Sequence, residues 1–319
     1  MYKAKFAWPN GANIAVVFNM SWESWPKTLA TAQNNEKPSE RVTAHAKYGR
    51  GMRWVYEHAH GETGGLQRLL DIWRRHDVPA TCYADGLTVQ TFPDLARAVA
   101  KQGEIVLQGW DHSFLWEMTV AEQADSIDRT NAVFEKELGK KAVGFSSAGG
   151  HLTPETFELL AARGFKYCCG LRNADVPFII RVGDKKLVGM SSYNVSEFRT
   201  YMGSDTPRAV IEMWRDYFDA LYEEGARGYP HMLAYGTHPF LSYGFRTRPL
   251  EELIDYVKRK PKVWIATRGE IADWMLQNYP EHDLAAFFPE AVASDKLYGL
   301  SIGLGGEEAR KEAYSFRKD

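Results

Sequence analysis

Glu23, His112 and His238 are the residues of this 319-residue chain whose types and settings could carry out hydrolysis. Each lies at or just beyond the end of a short apolar run. IAVVFNM (Ile14–Met20) leads into Ser21, Trp22 and Glu23; EIVLQGW (Glu104–Trp110) leads into Asp111 and His112; HMLAYGTH (His231–His238) leads into Pro239. A carboxylate or imidazole can activate water while a second imidazole protonates a leaving group. Proline holds the residue before it in extended backbone, which aims His238 out of its strand. Trp22, Gln108, Trp110, Ser146, Ser147 and Tyr193 fall at other strand ends and form the expected substrate-binding set, the tryptophans as an apolar wall for a flat or cyclic ligand.

Each residue also has a plainer reading. Glu23 could be a loop carboxylate paired with an arginine, and His112 could cap the next helix. Ser146 and Ser147 are outside any nucleophile elbow, so a pocket-lining role is expected of them. Asp85 precedes Gly86 and reads as a turn former. His58 and His60, two apart, have a spacing that can ligate metal, although solvated loop histidines are commoner. His76, His151, His231 and His282 read as structural or surface groups.

Eight strand candidates must position these side chains: the three runs above, Pro79–Gly86, Lys141–Ser147, Phe165–Gly170, Leu187–Tyr193 and Lys262–Thr267. They are rich in Val, Ile, Phe and Tyr and mostly bounded by turn residues. Helical patterns fall between them, over 65–76, 119–138, 153–163, 206–224, 250–260 and 268–278. TVAEQ at Thr119 is a capping box, and glycines at 164 and 225 are expected to close two helices. Strands alternating with helices imply parallel pairing with right-handed crossovers, and strands apolar on both faces suit a barrel. The expected fold is a single α/β barrel of seven to eight parallel strands over residues 1–280. It carries a long insertion, the arm 24–62, after strand one, and an extension over 281–319 that packs on the barrel or on a partner subunit. In such a barrel the active site lies at the C-terminal ends of the strands.

Composition narrows the function. The formal net charge is −2 and no basic block stands out, so nucleic-acid binding is not expected. No apolar stretch approaches the roughly 18 residues of a membrane span. The start lacks an apolar signal region, and Cys82, Cys168 and Cys169 form no spaced metal motif, so a cytoplasmic location is expected. Aromatic residues in the arm (Tyr48, Trp54, Tyr56) and the extension (Phe287, Phe288, Tyr298) suggest a homo-oligomer.

The segments WPNGANIAVVFNMSWE, HAHGETGGLQRLLDIWRRHDVPATCYADG, QGEIVLQGWDH, VGFSSAGGHLTPETFELLAARGF, MLAYGTHPFLSYGFRTRPLEELIDYV and VWIATRGEIADWM resemble, in this order, the polysaccharide deacetylase (NodB-homology) superfamily. The resemblance is nearest to its cytoplasmic branch, with allantoinase-like and peptidoglycan-deacetylase-like members. It implies a distorted (β/α) barrel, hydrolysis of a carbon–nitrogen amide bond and commonly an oligomer. The family's aspartate pair after strand one is here Asn19-Met20-Ser21-Trp22-Glu23, and Glu23 stands where the allantoinase-like branch has a glutamate. Of the two histidines four apart that ligate metal in the family, the first is Gln108 and only His112 remains. The family's arginine and proline are replaced by Ser146 and Ala148, while its last histidine is retained as His238. Zinc wants three or four good donors, so the expectation is no metal or a weakly held divalent zinc with His112 as a ligand. Three readings follow. The first is a small-molecule hydrolase of an amide, cyclic amide or ureide, with Glu23 or His112 activating water and His238 as general acid. The others are a metal-dependent carbohydrate N-deacetylase and a catalytically impaired ligand-binding homologue.

Overall fold

The computed structural model describes residues 6–24, 52–171, 175–192, 195–202 and 206–283. Most of the arm (25–51), Tyr193 and the extension from 284 onward lie outside the described residues, and so do the side chains of Trp54, Phe287, Phe288 and Tyr298. The main elements, in chain order, are β1 (Ile14–Trp22), α1 (Met52–His60), a π-helical turn (Gly61–Gly65), α2 (Leu66–Arg75), β2 (Ala80–Asp85), α3 (Gly86–Thr91), α4 (Pro93–Gln102), β3 (Gly103–Gly109), α5 (Val120–Leu138), β4 (Gly144–Ser146), α6 (Pro154–Ala162), β5 (Tyr167–Cys169), β6 (Phe178–Val182), β7 (Lys185–Met190), β8 (Val195–Ser196), α7 (Glu197–Met202), α8 (Pro207–Ala226), β9 (His231–Thr237), α9 (Gly244–Lys258), β10 (Val263–Ile265) and α10 (Arg268–Asn278).

The strands form one curled sheet in the order β6-β7-β5-β4-β3-β2-β1-β9-β8, with β10 on β1. All pairs are parallel except β6 with β7. The sheet is therefore a half-barrel of (β/α) type, wider than the expected seven to eight strands. The reason is local. Gly183 and Asp184 turn FIIRV back onto β7, pairing Val182 with Lys185, a two-residue hairpin connection in which Gly183 takes φ 61°. β1 is buried at every position and lies inside the sheet, paired with β2, β9 and β10, which explains its unbroken apolar run.

The helices begin where the caps require. The Thr119 hydroxyl accepts from the Glu122 amide and Glu122 returns the bond to Thr119 N at 2.7 Å; Thr267 and Glu270 repeat the arrangement at α10. Gly164, at φ 78°, closes α6 as expected. Gly225 does not close α8, which runs on to Ala226. Its lack of a side chain serves packing instead, because a Cβ there would fall 2.0 Å from the Asn13 carbonyl oxygen. Among the described residues no helix is long and apolar enough to cross a membrane.

One glycine couples the arm's return to the site. A Cβ on Gly65, in the π turn, would lie 1.8 Å from the carbonyl oxygen of Pro239, the residue after His238. Backbone cannot yield there as a flexible side chain would. Gly65→Ala should cost about 1–3 kcal/mol of stability, the scale of overpacking. Urea unfolding checks this, and an unchanged midpoint would refute the contact.

Candidate active site

Glu23 follows directly on β1, His112 lies three residues beyond β3, and His238 follows β9. All three are thus delivered to the C-terminal rim of the sheet. The side chains of Glu23 and His112 are 6% and 7% exposed, and His112 Nδ1 lies 3.6 Å from Glu23 Oε1. Gln108 is buried beside them and its Nε2 donates to Glu23 Oε1 over 3.5 Å. The register explains its position. Ala84 pairs with Leu107 but Asp85 pairs with Gly109, so Gln108 is the extra residue of a β-bulge. A bulge re-aims a side chain, and Gly109 supplies the required φ of 146°.

His238 is held by a residue not identified as a candidate from sequence. Glu197, 4% exposed, opens α7 directly after the two-residue strand β8. β8 pairs with Tyr235 and Gly236, which carries Glu197 to the end of β9. The His238 backbone N–H donates to Glu197 Oε1 at 2.5 Å, and ring Nδ1 lies 3.3 and 3.4 Å from the two carboxylate oxygens.

These neighbours drive the two histidines apart. Burial opposes protonation of His238, but the charge of Glu197, its hydrogen bond to the ring and the charge of Glu23 outweigh it and raise the pKa above the usual 6.5. Burial dominates at His112 and lowers its pKa below 6.5, helped by the positive charge of His238 and only partly offset by Glu23. Each histidine therefore feels the other site's charge. His238 thus keeps its proton to higher pH than His112 does, the kind of separation that assigns acid and base roles.

Several of the other expected residues have partners of their own. Trp22 is buried, but its indole Nε1 donates to Glu62 at 2.8 Å and its ring sits 6.2 Å from Phe92, outside the Glu23 cluster. Trp110 lies under the Arg129 guanidinium, 3.8 Å from its ring centre. It lines a surface cavity of about 440 Å³ whose walls include Asp125 and Arg129 but not Glu23, His112 or His238. Ser146 and Ser147 are buried at the end of β4, and Ser147 Oγ has no hydrogen-bond partner among the described residues. Asp85 is not a turn former. Its backbone is extended at the start of α3, it makes no side-chain cap, and its carboxyl is fully buried. His58 and His60 stack on Phe240 and Tyr243, with ring centres 4.3 and 4.0 Å apart. His151 stacks on Trp116 at 3.9 Å and is close enough to His112 for its charge to be felt. Trp116, 49% exposed, forms an aromatic edge to the rim with Phe114.

The donor set does not suit a resident zinc. Structural and catalytic zinc sites draw on three or four protein donors or on three plus water. Among the described residues no three His, Cys, Asp or Glu side chains are grouped to hold a metal ion. Beside Glu23 and His112 the third group is the neutral Gln108 amide, with its NH₂ turned to the carboxylate.

Residues 58–168 match the family model for polysaccharide deacetylase. A peptidoglycan deacetylase from Helicobacter pylori is 25% identical over 68% of this chain and 85% of its own length. A probable polysaccharide deacetylase from Pseudomonas aeruginosa PAO1 superposes with a TM-score of 0.74 at 26% identity, covering 86% of this chain and 94% of that one. Puue allantoinase superposes with a TM-score of 0.75 at 25% identity, covering 86% and 93%. Over residues 58–168 the chain is thus similar to polysaccharide deacetylases, and its fold is similar to that of a probable deacetylase and an allantoinase.

Proposed function

We propose that the protein hydrolyses a carbon–nitrogen bond in a small amide, cyclic amide or ureide. The observation that carries this reading is the delivery of the buried side chains of Glu23, His112 and His238 to one rim of the sheet, with His112 Nδ1 3.6 Å from Glu23 and His238 Nδ1 held by Glu197 at 3.3 Å. Neutral His112, beside Glu23, accepts a proton from water as its oxygen attacks the carbonyl carbon. His238, in its protonated form, stabilises the oxyanion that forms. As the C–N bond breaks, His238 gives its proton to the departing nitrogen, leaving a carboxylic acid and an amine. The proton held by His112 then returns to solvent, and His238 is reprotonated. Glu197 holds Nδ1 of His238, so Nε2 is the nitrogen that faces the reaction. Gln108 Oε1, buried without a hydrogen-bond partner among the described residues, is suited to accept from a substrate N–H.

Turnover of a panel of linear amides, hydantoin-like cyclic amides, ureides and N-acetylated glycans tests the reading. Release of carboxylate from a small amide or ureide, lost in His238→Ala, is expected. Absence of turnover across the panel would sink it. The half-exposed Trp116 on the rim favours a second reading, a carbohydrate N-deacetylase, since a flat indole suits the face of a sugar ring. Turnover confined to the N-acetylated glycans, in protein carrying stoichiometric zinc, would select it.

The pH dependence follows in sign. In free enzyme the acidic limb of kcat/KM arises as His112 loses its proton below pH 6.5, and the alkaline limb as His238 loses its proton above 6.5. Glu197→Gln removes the charge that raises His238 and should draw the alkaline limb to lower pH. An unmoved alkaline limb in that variant would remove Glu197 from the account.

A further inference from the structure

We propose that Asp85 is a positioning residue whose buried carboxyl clamps Ser24 and, through Ser24, sets Glu23 and His112 in register. The role rests on the hydrolytic reading of those two residues. Asp85 is fully buried at the end of β2. Its Oδ2 accepts from the Ser24 backbone N–H at 2.7 Å. The Ser24 carbonyl in turn accepts from the His112 backbone N–H at 2.9 Å. The Ser24 hydroxyl is paired with Thr88 Oγ1, on α3, at 2.6 Å. Ser24, two residues beyond the end of β1, is thus tied on three sides. Its N–H belongs to the peptide that starts at Glu23, and its C=O holds the turn that presents His112. A carboxyl in this place joins the ends of β1, β2 and β3, which no ladder bond does beyond Trp22 and Gly109.

The surroundings favour the neutral form. Burial, and then the charges of Glu23 and Asp111, push the Asp85 pKa well up, against the Ser24 bond that lowers it. A neutral acid keeps the acceptor for Ser24 without setting a second negative charge against Glu23. An asparagine side chain has the same shape and the same acceptor, whereas leucine fills the space with no acceptor.

Hydrogen–deuterium exchange resolved to single amides, on the full chain, separates the two, with Asp85→Asn and Asp85→Leu as the variants. In Asp85→Leu the Ser24 and His112 amides should exchange at least tenfold faster, while Val16 and Val17 in the middle of β1 stay protected. Asp85→Asn should keep native protection at all four. Native protection of Ser24 and His112 in the leucine variant would overturn the proposal, and so would faster exchange spread evenly along β1, which would mark Asp85 as ordinary core. In an active enzyme, kcat should fall at least tenfold in Asp85→Leu with KM nearly unchanged and be restored in Asp85→Asn. Exchange needs no substrate, so native protein that turns over nothing would defeat the hydrolytic reading and leave the exchange result to decide the clamp.

Discussion

Replacing His238 with alanine should lower kcat by about a hundredfold or more, the usual scale for losing a general acid or base. His238 ends β9, is 3% exposed, and has its Nδ1 side occupied by Glu197. The ring cannot turn its other nitrogen away without breaking that pairing. Its protonated form is favoured by two carboxylates, Glu197 and Glu23. Alanine removes both the proton and the charge facing the developing oxyanion, so kcat and kcat/KM should fall together while substrate binding changes little. Steady-state kinetics on whichever panel compound is turned over checks this. Turnover within a few-fold of the native rate would take His238 out of the chemistry.

Glu23→Gln should also cost about a hundredfold in kcat, on the scale seen when a charged stabilising group is removed. Glutamine keeps the size of the side chain and its contacts with His112 and Gln108, so the loss reads the charge. The variant has a second signature. Glu23 raises the pKa of both His112 and His238. Removing its charge should therefore move both limbs of the kcat/KM profile to lower pH, whereas Glu197→Gln is expected to move the alkaline limb. A Glu23→Gln enzyme with native kcat would show that His112 activates water unaided.

All eight strand candidates correspond to strands, since long runs such as Ile14–Trp22 and His231–Thr237 are buried over their whole length and read the same way in either representation. Two strands are not among the candidates: the apolar β6 (FIIRV), which pairs antiparallel to β7 through a two-residue turn, and the short β8. β8 is Val195–Ser196 alone, in a stretch of serine, asparagine and glutamate, and it forms because β9 offers it an edge. Glu197 was therefore invisible as the partner of a histidine 41 positions away. A glutamate just past an alternating V-S pair was the only local sign. Asp85 was hidden for a different reason. An Asp-Gly pair ordinarily signals a turn, and here tertiary packing turned the carboxyl inward. Trp22 and Trp110 were placed correctly at strand ends, but strand alternation and the bulge at Gln108 decide which way a side chain points. Neither can be read from residue type. Glu23, His112 and His238 were legible because each ends or follows a buried run, and a barrel rim collects such residues.

His112 and His238, delivered to the same rim, have pKa values displaced in opposite directions. Following the ring protons of His112 and His238 by NMR across pH 4 to 10, with His112→Gln and His238→Gln for assignment, measures this displacement directly and needs no substrate. A midpoint above 6.5 is expected for His238 and one below 6.5 for His112. Two midpoints at the ordinary value, or the reverse order, would contradict this expectation.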